Sequence, residues 1–584
     1  MRHVPMHEFA DATPLDVAIG AEIEPSTAAA RPTGIAALAP ALLLAACKPD
    51  EIVGVTQTGV RITNVAPPPS PTPTPIATAI PRLQAARLLG QATMGMNAAD
   101  IARAQALGPA GWLDEQFAIP REIGHWDWLV SRGYLNNGRM NEYGLLDMTM
   151  WRQAITGRDQ LRQRVGHALL DIFVVGIDGV GGFGKGMTTA AYVDLLMDNA
   201  FGNFRTLLEA IAGSAAMGMY LTFVNSYKAN PSAGTQPDEN FAREIMQLFT
   251  IGIYQTNLDG TLKLQAGKPI DTYTQADVSA LARVWTGWTY APGDLATPVP
   301  MMKPMVVDAQ QHETGATTFL GKTIPAGATA FAARRIALDT LFQHPNCAPF
   351  FCKQLIQRLV TSNPSTSYIG RVAGVFENNG KGVRGDLRAV VRALLLDAEA
   401  RGDASLTSAT YGKLRTPIVR LTNWARAFSA TSPSQEWGIG DTGSPSARLG
   451  QSPGRAPSVF NFFRPGYAPA GTPLAAQGLV AGELQLTTEP QVVGYINFMT
   501  QLIGWGVGDV RGNYSALLPL AANSQALIDE INVLLAAGQL SAPTLATIRG
   551  AVDSIAATTP NGQLNRVYAA TLLVMASPEY LTQK

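Results

Sequence analysis

The sequence predicts a mainly α-helical protein: a large multi-helix, orthogonal bundle-like domain with long irregular loops and at most a small β-hairpin. Two observations carry that expectation. From Arg82 onward, apolar residues recur at helical spacing, as Leu161, Val165, Ala168, Leu169, Ile172 and Phe173 do along one face. Each such segment is short and is bounded by Gly, Pro or a capping residue, as Asp386 precedes Leu387, Val390, Val391, Leu394 and Leu395.

Taken in order, the chain begins with a leader at 1–47. Thr33 to Cys47 reads TGIAALAPALLLAAC, an apolar run too short to span a bilayer, ending in Leu44-Ala45-Ala46-Cys47. That ending resembles the lipobox of bacterial lipoproteins and implies export with lipidation at Cys47, a multi-chain membrane anchor. Asp11, Asp16, Glu22 and Glu24 occupy the stretch where a short basic region is expected, and Arg31 alone sits correctly. A Pro-rich linker follows at 48–81, in which Pro67-Pro68-Pro69-Ser70-Pro71-Thr72-Pro73-Thr74-Pro75 reads as an extended spacer.

The helical domain occupies 82–584. Its opening module is ARLLGQATMG, NAADIARAQALG and PAGWLDEQF, and helices are expected at 142–156, 158–175, 188–202 and 204–215. Asn257-Leu258-Asp259-Gly260 is the turn signal of the expected hairpin, and Gln275 to Thr286 returns to helix. The region from Thr289 to Pro325 shows no sustained period and reads as an irregular excursion over the core. Helices resume at 328–343, 346–362, 366–379, 384–400 and 413–430; a Gly/Pro/Ser-rich loop at 431–475 precedes four more at 490–505, 524–537, 541–556 and 562–576.

Composition narrows the class. With 584 residues the chain can bury a large core, and its 46% hydrophobic content leaves much interior. Charged residues are 15%, below the roughly 25% of ordinary soluble domains. Lys+Arg and Asp+Glu balance at 44 each, so the overall charge gives no nucleic-acid footprint. Three cysteines do not make a disulfide framework.

The stretch around which the domain is expected to be organised runs from Pro237 to Gly252. Pro237 suits a first helical position, Asp238 and Glu239 favour the positive helix start, and Gly252 is a natural stop. Phe241, Ile245, Leu248 and Phe249 share one face; Asn240, Glu244 and Gln247 form a polar stripe along its edge, and Glu239 and Arg243 fall on the opposite edge. Such a stripe is either a hydrogen-bond network that fixes neighbouring helices or the floor of a site.

The other candidates are limited by what their chemistry needs. His167 and Asp171, four apart on a helix, permit an ion pair or two metal ligands. His344, Cys347 and Cys352 lack the further ligands of a zinc site, so no metal is assigned, and the cofactor is left unknown. Gly179 to Gly186 satisfies GxGxxG but places glycine at the hydroxyl position of a phosphate loop and lacks a βαβ setting. Trp285 and Trp288 either fill the core or present faces for sugar stacking. GxSxG occurs as Gly450-Gln451-Ser452-Pro453-Gly454, but inside the Gly/Pro/Ser-rich loop and without the strand-to-helix setting of a nucleophile elbow, and HExxH does not occur.

The body from Ala85 to Lys584 resembles the bacterial family called domain of unknown function 1800. The matching stretches are AARLLGQATMG, DQLRQRV at 159, NAFGNFRTLLEAI at 199, PDENFAREIMQLFTIG at 237 and DVSALARVWTGW at 277. His312 with Phe319-Leu320-Gly321, HPNCAPFFCKQLIQRLVTSNPS at 344, LGQSPGRAPSVFNFF at 449 and SPEYL at 577 extend the match. The resemblance implies an exported, mainly helical bacterial protein, often encoded beside a sulfatase-like family called domain of unknown function 1501; it carries no catalytic mechanism over.

The functional expectation is therefore a lipid-anchored envelope protein that acts on or binds an extracellular polymer. In the enzymatic version Glu239 or Glu244 is acid/base, Arg243 and His312 orient the polymer, and Asn240, Gln247, Trp285 and Trp288 bind it. The alternative is a non-catalytic scaffold that partners the sulfatase-like neighbour.

Overall fold

The computed structural model describes residues 79–136 and 138–584. The leader, Cys47 and the linker up to residue 78 lie outside the described residues. The structure is 53% helical, with β structure confined to two-stranded pairs. Among the described residues no helix is long and apolar enough to cross a membrane.

Local sequence explains the helix ends. Asn97 and Asp100 form a capping box that starts Ala98–Ala118, and Thr274 with Asp277 does the same for Gln275–Ala282. Asp386 accepts from Ala389 N, as its position before an apolar run predicts. The two opening segments expected to meet at Gly108-Pro109 form one helix broken by Gly108 at φ 65°.

The Gln160–Ile172 helix runs through the interior, buried at every position except Arg162. It packs against Cys347–Leu359, Lys185–Asn199 and Ala98–Ala118. Beside its end, Phe173, Phe204, Phe249 and Phe351 form an aromatic cluster, with centroids 5.2 Å apart for Phe173–Phe249 and 4.4 Å for Phe204–Phe351. Ser524–Ala536, Ala542–Asp553 and Pro560–Ala576 pack on one another at the C-terminal end.

Among the described residues there are four antiparallel pairs where at most one hairpin is expected: Leu264–Gln265 with Lys268–Pro269, Trp288–Thr289 with Val306–Val307, Thr317–Phe319 with Lys322–Ile324, and Lys413–Leu414 with Thr582–Gln583. Asn257 to Gly260 does turn the chain, with Thr256 bridged to Leu262, and a second turn at Ala266-Gly267 closes the first pair. The region read as irregular holds two of these ladders. Each is two or three residues long, too short to show alternation, and the tight turn at Leu320-Gly321 uses a leucine at φ 46°.

The central stretch departs most from expectation. Helix begins at Asn240, not Pro237, and is α only to Glu244; Ile245–Thr250 is a π-helix. Ile251 N accordingly donates to Met246 O, five residues back, at 3.0 Å. Gly252, at φ 68°, ends the segment, and its missing Cβ would lie 2.6 Å from the Phe350 ring.

Candidate functional site: the central segment and the groove beside it

Phe241, Ile245 and Phe249 are buried as their spacing predicts. Phe241 stacks on Phe223 at 4.2 Å and meets Trp285 edge-on at 4.8 Å. On the outer edge, the Glu239 carboxylate accepts from Arg243 at 3.2 Å, Gln275 Nε2 at 2.8 Å and Ser279 Oγ at 2.5 Å. Glu239 and Arg243 thus pin the central segment to Gln275–Ala282. Asn240 is exposed, its amide reaching Thr222 Oγ1 at 3.3 Å.

Glu244 is 8% exposed, and its Oε2 is buried with no hydrogen-bond partner among the described residues. Burial raises the Glu244 carboxyl above the ordinary value, and the Arg243 charge offsets this in part. Next along the stripe, Gln247 Oε1 accepts from the Tyr273 hydroxyl at 2.9 Å.

The remaining candidates belong to the core. Trp285 and Trp288 are both 0% exposed. Arg334 lies 4.1 Å over the Trp288 ring, Phe331 meets it edge-on, and its Nε1 donates to Val284 O at 3.2 Å. Neither indole has a face free for a sugar ring. His312 is buried, with Nδ1 3.0 Å from Thr286 O, and it packs under Gly287, whose absent Cβ would sit 2.8 Å from His312 N. The structure therefore joins Phe241 to Trp285 and Thr286 to His312 as packing. It does not bring the carboxylates, His312 and the indoles to one polar cleft: Glu239 faces Gln275–Ala282, while Gln247 faces Tyr273.

The open feature lies at the π-helical end of the segment. A groove of about 470 Å³ is lined by Gln247 and Leu248, by Ile253, Thr256 and Leu262 of the following turn, and by Pro349, Phe350, Lys353, Gln354 and Gln357 on one helix. Phe460, Pro465 and Val480 from the long loop close its far side. Its volume falls in the usual range of ligand sites. Of the candidate site residues, Gln247 alone lines it; the helix face and the loop are visible in the sequence only as the stretches FFCKQLIQRL and FNFFRPG.

The other sequence candidates resolve as structure. Asp171 is bonded to the Asn461 amide, and beside His167 is a cavity of about 10 Å³, room for about one water. Burial lowers the His167 imidazole, outweighing the nearby Asp171 charge. Among the described residues no group of three or more His, Cys, Asp or Glu could hold a metal ion. Cys347 and Cys352 are free and buried, and burial pushes the Cys347 thiol up to about 12. Lys185, in the glycine-rich loop, reaches Asp178 at 3.3 Å.

The Glu244 environment has a measurable consequence. A carboxyl whose folded pKa is raised binds its proton more tightly in the folded chain, so stability is highest below the unfolded value and falls as pH rises through the folded one. Glu244→Gln removes that fall. Urea denaturation at about pH 4 and about pH 8 is expected to show the variant gaining on the wild type as pH rises; parallel profiles would contradict a raised Glu244 carboxyl.

Fold and geometry define a mainly helical protein with an open groove beside a π-helical segment. The chain belongs to the family described as protein of unknown function DUF1800, whose model matches residues 87–582. No curated protein and no solved structure matches it.

Proposed function

We propose that this is an exported bacterial envelope protein, lipid-anchored at Cys47, which binds an extracellular polymer in the groove at the end of the central segment. The observation that carries the reading is the groove itself, an open volume of about 470 Å³ where apolar walls alternate with the amides of Gln247, Gln354 and Gln357. Rare π-helical turns are frequent at functional sites, and this one places Gln247 and Leu248 in the groove.

Binding fits the geometry better than two-carboxylate hydrolysis. Glu239 is committed to Arg243, Gln275 and Ser279, and Glu244 stands without a second acid facing it across an open site. Co-sedimentation with insoluble envelope polymer tests the reading: the wild type pellets with the polymer, and Leu262→Asp, which puts a charge on a 48% exposed groove residue, stays in solution. Equal pelleting of the two would remove the groove from the account.

The anchor is tested separately. Cys47→Ala is expected to abolish incorporation of labelled fatty acid and to move the chain from the membrane fraction to the soluble envelope fraction; unchanged labelling would exclude Cys47 as the acylated residue. The second reading, a non-catalytic scaffold docking a sulfatase-like partner, is favoured by the apolar side chains that the neighbouring turn exposes, Ile253 at 48% and Leu264 at 58%.

A further inference from the structure

The groove's chemistry says more about its occupant than its volume does. Gln354 Nε2 donates to Leu248 O at 3.1 Å and Gln357 Nε2 to Ser362 O at 2.9 Å, so each amide is oriented by the fold and leaves its Oε1 free to accept. Gln247 is held the opposite way: its Oε1 accepts from Tyr273, which leaves its NH2 free to donate. Donors and acceptors are therefore both present, each fixed by a bond to the protein.

The walls are mainly aliphatic, and Lys353 is the one charged side chain among the residues that line the groove. Leu248, Ile253, Leu262 and Val480 supply branched surfaces, with phenylalanines as the aromatic members. Lys353 is exposed in the groove, and no carboxylate lies within ion-pair distance of it among the described residues. Lys263 and Lys268 stand on the adjoining turn, also without ion-pair partners there. Asp259, ionised and held by Thr261 N at 3.0 Å and Thr261 Oγ1 at 2.6 Å, and Asp271 offset the two turn lysines in net charge without pairing with them, which leaves Lys353 as the charge in the groove itself. The turn continues the apolar surface outward through Leu258 and Leu264.

A pyranose chain calls for broad aromatic faces, and the two tryptophans of this region are sealed in the core. A peptide supplies what the groove lacks: backbone N–H groups for Gln354 and Gln357, carbonyls for Gln247, apolar side chains for the walls and carboxylates for Lys353. We infer that the occupant is a polypeptide segment in which apolar and acidic residues alternate, docked along the groove with Lys353 as its charge anchor. This rests on the groove being the ligand site.

The test is fluorescence anisotropy on the full chain in mild detergent, with a fluorescein-labelled peptide alternating Leu or Phe with Asp or Glu. Its counterpart carrying Lys at the acidic positions and soluble peptidoglycan glycan fragments, each labelled in the same way, are titrated alongside it. The acidic peptide is expected to bind saturably, about tenfold or more tighter than the basic one, and to lose about tenfold in Lys353→Glu but nothing in Lys381→Glu. Equal affinity for both peptides, or no effect of Lys353→Glu, overturns the inference. Glycan binding without peptide binding overturns the peptide class and keeps the groove as the site; binding of neither overturns both.

Discussion

Arg455→Ala is expected to cost about 3–5 kcal/mol of unfolding free energy, because it strands a fully buried carboxylate without its cation. Asp147 is fully buried, and Arg455 grips it from two sides, Nε to Oδ1 at 2.9 Å and Nη2 to Oδ2 at 2.6 Å. Burial pushes the Asp147 carboxyl up, so without its cation it takes a proton or draws water in. The loss has a reach beyond the pair. Arg455 belongs to the 449–463 stretch, which also sends Asn461 to Asp171 and seats Phe463 under Arg358, centroid to guanidinium 4.6 Å. Urea denaturation is the check, with hydrogen exchange expected to rise across that stretch. Replacing both partners by apolar residues, Asp147→Leu with Arg455→Met, should recover much of the loss, since no charge is then buried alone. A loss below about 1 kcal/mol for Arg455→Ala would show that the pair is not sealed from solvent.

Trp285→Ala carries a cost of similar size, about 3–5 kcal/mol, by opening a cavity at the centre of the central segment's packing. The indole is 0% exposed and touches Phe241 at 4.8 Å and Phe223 at 6.0 Å. Because Trp285 does not line the groove, the folded fraction should bind polymer as the wild type does, and Trp285→Phe should fall between the two in stability. A variant that folds normally but loses binding would return the indole to the role of a stacking platform.

These two cases also show which parts of the molecule the sequence makes legible. Gln160–Ile172 was readable because its burial follows one period in one segment, and the same holds for Leu387–Leu396. The π-helical turn was not, since its buried Ile245 and Phe249 keep a spacing that an α-helix also satisfies. The Asp147–Arg455 pair joins residues 308 apart, and nothing local in either segment points to the other. The groove is harder still, drawing on the central segment, a turn, a helix and the long loop. Composition and motif placed Trp285, Trp288 and His312 near the central segment, but their burial depends on Phe241, Arg334 and Gly287, which only the fold supplies.

We propose that the end of the central segment binds polymer and that its carboxylates do no chemistry. The most direct measurement compares wild type, Glu244→Gln and Leu262→Asp, all as the full chain, for binding to and turnover of envelope polymer in the same preparation. Glu244→Gln is expected to bind as the wild type does while Leu262→Asp does not, with no turnover in any of the three. Turnover by the wild type that Glu244→Gln abolishes and Leu262→Asp retains would contradict it and make the central segment an active site.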